Sequence, residues 1–258
     1  LECGLAFGLN ELFALGLSKM DIVKLSQSAE HSYVGTQCGI MDQFASVMGE
    51  AGRGILLDCK SLSYDLIPLV LDPYKIILLN TGVSHDLATS EYNVRKLECE
   101  EGVAIIRQTH PKIQSLRDVT HEILLANKRK MREVVYRRCS FILQENERVL
   151  KMTDALKKGD FKTAGNLLYD AHTGIRDLYE VSCKESDFLV DFSKGYTTVL
   201  GARQTGGGFG GCTLNLIHQD GVPEFISAAI QAYRRQFAIE LTAFEVTPSK
   251  GTSVTFLG

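Results

Sequence analysis

Leucine and phenylalanine recur at Leu1, Leu5, Leu9, Leu12 and Phe13, the spacing of one helical face, and this predicts a helix over 1–15 that Gly16 stops. Ser18 with Asp21 three residues later reads as the start of a second helix, whose apolar positions Ile22, Val23 and Leu25 lead to Ala29 and Glu30. A glycine-bearing loop from Gly35 to Gly39 precedes a third helical stretch, Ile40 to Val47. After Gly49, Gly52 and Gly54 the period shortens to that of strands, at 54–58, 64–69 and 74–80. The middle of the chain is helical and broken at His110-Pro111. Ile142 to Leu168 reads as two helices around Lys158, Gly159 and Asp160. Towards the end a glycine-rich loop over 201–211 precedes a strand at 213–218, a helix at 223–239 and a last strand at about 252–257. Strands and helices mix without a regular βαβ alternation, so the expected class is α+β.

Composition narrows this picture. The chain has 258 residues, enough to bury a sizeable core in one large domain or two lobes. Hydrophobic residues make up 45% and net charge is −3, which excludes a disordered chain and gives no basic stripe for nucleic acid. The densest basic cluster, Lys128, Arg129, Lys130, Arg132, Arg137 and Arg138, lies on a helical pattern and reads as a solvated helix face. Seven cysteines, an odd number without CxxC spacing, argue against a disulfide framework and a structural zinc site. With no apolar run of transmembrane length and no signal segment, the expectation is a soluble cytoplasmic protein without a membrane partner. The helical pattern is already in progress at Leu1, without an initiating Met or a capping residue, which suggests a parent protein that extends upstream.

Two places could carry chemistry. From Thr205 the chain runs Gly206, Gly207, Gly208, Phe209, Gly210, Gly211, five glycines in six positions. Such backbone reaches positive φ and approaches a ligand closely, and successive exposed N–H groups form an anion-binding concavity. No Gly-Lys-Ser/Thr ends the tract and a strand follows it, so it is neither a Walker loop nor a dinucleotide fingerprint. The bland alternative is a flexible turn. Asp42, between apolar neighbours at a helix start, is either a capping residue or a buried reactive carboxylate. Glu30 beside His31 is most simply a surface pair; together with Asp42 it could supply a metal ligand and a general base for phosphoryl transfer. His85-Asp86 leads into a helix carrying Glu91, Tyr92 and Arg95, where Tyr92 is a core aromatic or a ligand contact. Arg176-Asp177 reads as a structural pair.

Five segments in order carry a resemblance. They are Ala29-Glu30-His31-x-Tyr33-Val34-Gly35, then Cys38-Gly39-Ile40-Met41-Asp42-Gln43, then Ser90-Glu91-Tyr92-x-Val94-Arg95. The fourth runs from Ile175-Arg176-Asp177 through Tyr179-Glu180-Val181-Ser182-Cys183, and the fifth from Gly201-Ala202-Arg203 through Thr205–Gly211 to Cys212-Thr213. This order resembles the galactokinases, within the kinases of galactose, homoserine, mevalonate and phosphomevalonate.

The resemblance implies a two-lobed α+β fold with the active site in the cleft between lobes. It places a remainder of the N-terminal lobe at 1–72 and the C-terminal lobe at 73–258, with the last strand returning to the N-terminal lobe. It implies transfer of phosphate from ATP, with Mg²⁺, to the C1 hydroxyl of galactose by a monomer. Asp42 matches the carboxylate near that hydroxyl, as general base or electrostatic support, and Glu30 matches the magnesium ligand. Gly39, Asp42 and Tyr92 match sugar contacts, and the Gly206–Gly211 loop matches the motif shaping the cleft beside phosphates and substrate. Departures are Gln204, where Met is common, and Phe141, where His is common. The N-terminal sugar motif and the serine-rich phosphate loop are not among these residues. The loop would end just before Leu1, so the 258 residues alone are expected to be inactive. Two other readings stay open: a sugar and ATP sensor regulating transcription, and an N-acetylgalactosamine kinase.

Overall fold

The computed structural model describes residues 1–35, 38–83 and 88–255. Thr36 and Gln37 of the loop after Gly35, the His85-Asp86 segment, and the end of the expected last strand at 256–257 lie outside the described residues. The chain forms two compact units, one from 1–70 with 247–258, the other from 71–246. No helix among the described residues is long and apolar enough to cross a membrane.

In the first unit, α1 (Glu2–Leu12), α2 (Lys19–Ala29) and α3 (Met41–Met48) pack together with an antiparallel hairpin of β1 (Arg53–Leu57) and β2 (Tyr64–Pro68). α1 ends three residues short of the expected Leu15, because Ala14 and Gly16 both take positive φ. Ser18 and Asp21 form a reciprocal capping box on α2: the Asp21 N–H donates to Ser18 Oγ (3.1 Å), and the Ser18 N–H to Asp21 Oδ2 (2.9 Å). Cys3, Ile22, Val23, Ile40, Phe44 and Val47 make the core.

The second unit is built on an antiparallel sheet in the order β4-β5-β3-β6: β3 (Tyr74–Asn80), β4 (Val199–Thr205), β5 (Cys212–His218) and β6 (Thr242–Val246). Ile77 and Leu79 of β3 and Ile217 of β5 point into a core completed by Leu189 of α8 (Lys184–Ser193) and by Phe225, Ala229 and Tyr233 of α9 (Val222–Phe237). A separate helical core joins α4 (Ala88–Arg107), α5 (His121–Asn127) and α6 (Glu133–Lys158) through Val103, Ile106, Leu124, Val135, Cys139 and Leu143. α7 (Phe161–Gly174) lies directly on β4: a Cβ on Gly165 would sit 2.2 Å from the Leu200 carbonyl oxygen, and one on Gly201 2.0 Å from that of Gly165.

The α+β class is as expected. Three element readings are corrected. Residues 201–205 belong to strand β4, so the glycine loop proper is 206–211. A strand at Thr242–Val246 pairs with β3 where none was expected. The described part of the expected last strand, 252–255, is irregular backbone that joins the first unit through a bond from the Thr252 N–H to Ser46 O (2.8 Å).

Candidate active site

In the first unit, α2 runs into a single π-turn, Glu30–Val34, closed by Gly35 at φ 80°. Single π-turns inside helical segments are frequent at functional sites, because they redirect the side chains that follow. Here the turn presents Glu30 half-buried. The next residue fixes its setting: His31 donates Nε2–H to Cys38 O at 2.9 Å, and Gln27 Nε2 donates to the same carbonyl at 3.2 Å. Cys38 directly precedes Gly39, so the Glu30 turn and the start of α3 are tied through one carbonyl.

Asp42 is the second residue of α3, exposed, in the first turn where N–H groups lack intrahelical partners. It corrects both sequence readings. It is not buried, and it is not the cap: Ile40 holds that position, and its side chain makes no capping bond. Neither Asp42 nor Glu30 has a side-chain hydrogen bond or ion pair among the described residues. Two carboxylates held by well-packed segments and spent on nothing internal are available to a ligand. Among the described residues no group of three His, Cys, Asp or Glu could by itself hold a metal ion. Glu30 still suits Mg²⁺, which takes hard oxygen donors and often only one or two protein carboxylates, with water and phosphate completing its shell.

In the second unit, the loop 206–211 leaves β4 and enters β5. Gly206 and Gly208 are at φ 97°, Gly210 at 141° and Gly211 at 80°, and Phe209 itself at 57°. The far end of the loop is fastened. Phe209 N–H donates to Val181 O (2.8 Å), Gly211 N–H to Val83 O (3.2 Å), and Gly211 O accepts from both the N–H and the Oγ1 of Thr81. The near end is open: Gly206 and Gly207 are exposed, and a Cβ on either would meet nothing within 4 Å. The N–H groups of Gly206, Gly207, Gly208 and Gly210 find no acceptor among the described residues. Free N–H groups on a held backbone make a concavity for anions.

Tyr92, on the first turns of α4, is half-buried and lines a cavity of about 370 Å³ with Lys96, Cys99, Val103, Ile142 and Tyr179. Burial pushes the Cys99 thiol up to about 11 and the Tyr179 hydroxyl well above its usual range, so both are neutral walls at physiological pH. Glu30, Gly39 and Asp42 thus lie in one unit, and Tyr92 and the glycine loop in the other.

Sequence reasoning missed a buried arginine. Arg138, read as part of a solvated face, is 2% exposed and donates to Glu98 Oε2 (2.9 Å), Leu178 O (2.5 Å) and Glu180 Oε2 (2.6 Å). The signal was present: Arg138 falls between Val135 and Cys139, on the apolar stripe of α6. Arg176 and Asp177 do pair, a half-buried guanidinium with an exposed carboxylate, Nε to Oδ1 at 2.9 Å.

Comparison with known proteins puts these features in context. Residues 1–50 match the model of the GHMP kinases N terminal domain, and residues 152–235 that of the GHMP kinases C terminal domain. A galactokinase of Thermotoga neapolitana is 44% identical over 251 residues, covering 97% of this chain and 69% of that protein. One of Thermotoga maritima is 41% identical over the same length, again 69% of that protein. Among solved structures, the Lactococcus lactis galactokinase complexed with galactose superposes with a TM-score of 0.93 at 34% identity, covering 98% of this chain and 65% of that one. A mevalonate kinase of L. major shares the fold at a TM-score of 0.59 and 19% identity.

Proposed function

We propose a function from one premise: the chain belongs to the galactokinase family of the GHMP kinases. Its activity is the ATP-dependent phosphorylation of the C1 hydroxyl of galactose, giving galactose 1-phosphate and ADP. The observation that carries this reading is the pair of uncommitted carboxylates, Glu30 and Asp42, in the segments matched to the N-terminal family model.

The chemistry asks little covalent work of the protein. The C1 oxygen forms a bond to the γ-phosphorus as the bond from that phosphorus to the β,γ-bridging oxygen breaks, and ADP leaves. Asp42, exposed at the start of α3, faces the acceptor hydroxyl and takes its proton or supports the developing charge. Tyr92 and the backbone at Gly39 orient the sugar. The free N–H groups of Gly206, Gly207 and Gly208 meet phosphate oxygens, donors already in place before charge develops. Glu30 would hold Mg²⁺, which when bound would neutralise phosphate charge.

The test is Asp42→Asn in the full-length protein, assayed by galactose-dependent ADP release. We expect kcat to fall by roughly 10²–10⁴-fold, the usual worth of a positioned acid–base group, with an unchanged melting temperature because Asp42 makes no side-chain bond among the described residues. Near-parental kcat would remove Asp42 from the mechanism. A panel of sugars in the same assay reads the acceptor directly.

A further inference from the structure

The chain around Glu180 makes an abrupt turn that the phosphoryl-transfer reading does not use. α7 runs into a second π-turn, Ile175–Tyr179, and Glu180 follows in the left-handed region at φ 55° and ψ 52°. Four successive carbonyls at this helix end are turned away from any further helix. Each takes an arginine. Arg137 Nη1 donates to Asp177 O (3.4 Å), Arg138 Nη1 to Leu178 O (2.5 Å), Arg95 Nε to Tyr179 O (2.8 Å) and Arg95 Nη2 to Glu180 O (3.0 Å). The Glu180 carboxylate closes the arrangement, with Oε1 on Arg137 Nη2 and Oε2 on Arg138 Nη2, both at 2.6 Å. Glu98 takes Arg138 Nε from the other side.

The residue after this clamp is the one to which the glycine loop is fastened. Val181 O accepts both Phe209 N–H from the loop (2.8 Å) and Gln204 Nε2 from the strand leading into it (3.1 Å). Gly208 lies so close that a Cβ there would stand 2.8 Å from the same oxygen. At the other end, Arg95 sits on α4 one turn after Tyr92. A single chain of bonds therefore runs from the helix bearing Tyr92, through three guanidinium groups and a left-handed glutamate, to the loop that offers N–H groups. A left-handed glutamate is unfavourable without support, and the guanidinium bonds supply that support.

We propose that Glu180 and Arg138 are positioning residues: by holding the 178–181 turn they aim the Val181 carbonyl, and through it set the glycine-rich loop that receives the nucleotide phosphates. The nucleotide part rests on the phosphoryl-transfer reading; the mechanical part does not, and the test separates them.

The test uses the full-length protein with Glu180→Gln, whose amide cannot accept from two guanidinium groups through two charged oxygens. Amide hydrogen exchange at Phe209 should speed up at least tenfold, while Ile77 and Leu79 in the central strand keep parental protection. KM for MgATP should rise at least fivefold, more than KM for galactose. If Glu180→Gln does not fold, Arg137→Gln removes the half-buried guanidinium from Glu180 and from Asp177 O, leaves Arg138 in place, and should give the same signs with smaller size. Arg132→Ala, which deletes the exposed Arg132–Glu101 pair linking α4 to the start of α6, should change neither reading. Unchanged Phe209 exchange, or equal loss of protection at Phe209, Ile77 and Leu79, overturns the proposal. Loosened Phe209 with both KM values unchanged overturns the link to nucleotide and leaves only a structural clamp. An unsubstituted protein without galactose-dependent ADP release would defeat the functional reading, while the exchange measurement would still decide the clamp.

Discussion

Glu180 sits with its carboxylate between Arg137 and Arg138, and its hydrogen bond to Arg138 holds its pKa below the ordinary glutamate value of 4.5. The sign of the stability effect follows. The folded pKa is depressed, so the stabilisation is complete above the unfolded value and is lost as pH falls through the folded one. Glu180→Gln should therefore lower the melting temperature most near pH 7, with the gap to the parent closing as pH falls below the ordinary value of 4.5 and through the depressed folded one. A gap that stayed constant from pH 7 to pH 3 would mean the ionised carboxylate contributes nothing. The glycines of the loop separate on similar single-residue grounds. Gly207 lacks positive φ and faces open space, whereas Gly208 is at 97° and against Val181. We expect Gly207→Ala to keep parental stability, and Gly208→Ala to cost about 1–3 kcal/mol through forced backbone strain, read by denaturant titration. The density of the glycine tract was legible from sequence. Which of its members need to be glycine was not, since that depends on Val181, 27 positions earlier in the chain. Arg138 fell between these cases: its place on the apolar stripe was visible, but a run of basic residues pulled the reading towards solvent.

At the scale of elements, local chemistry decided what could be read. The Ser18 and Asp21 box, the Gly159 stop of α6 at φ 66° and the Asp160 cap of α7 were legible because each acts within a few residues. Strand β6 was not. It lies at the edge of the sheet beside β3 alone, and Thr242, Phe244 and Glu245 are exposed, so the two-residue alternation that marks a half-buried strand is missing. The reverse happened at 252–255, where a strand was expected and the Thr252 N–H instead donates to Ser46 O. The contact of α7 with β4 was equally silent, since neither Gly165 nor Gly201 lies in a turn. It gives a prediction about how elements pack. Gly165→Ala places a methyl 2.2 Å from the Leu200 oxygen, which forces helix and strand apart. We expect destabilisation of about 3 kcal/mol, the upper part of the usual overpacking range, with a lowered midpoint in urea. Ser18→Ala, by comparison, should cost about 1 kcal/mol as the loss of one cap.

The path of the whole chain sets how damage to it should spread. The unit formed by 71–246 is continuous and carries its own sheet and core, whereas the other is closed by two separate stretches, 1–70 and 247–258. The returning stretch is held by backbone rather than by a strand. Gly52 N–H donates to Pro248 O (3.2 Å), Gly251 N–H to Gly49 O (2.8 Å) and Thr252 N–H to Ser46 O (2.8 Å). At the centre of these bonds Gly251 lies against the end of α3, where a Cβ would stand 2.6 Å from Val47 O and 2.9 Å from Gly49 N. A branched side chain there cannot be met by a rotamer change, because the clash is with backbone. Gly251→Val should therefore detach the returning stretch and cost about 2 kcal/mol, within the usual overpacking range. The loss should be local. Amides in α2 and α3, around Val23 and Phe44, should exchange faster, whereas Ile77, Leu79 and Ile217 in the sheet of the continuous unit should keep their protection. Because Asp42 belongs to α3, kcat should fall as well. Equal loosening of both cores would show that the two units unfold as one, and unchanged exchange in α3 would show that the returning stretch does not brace it.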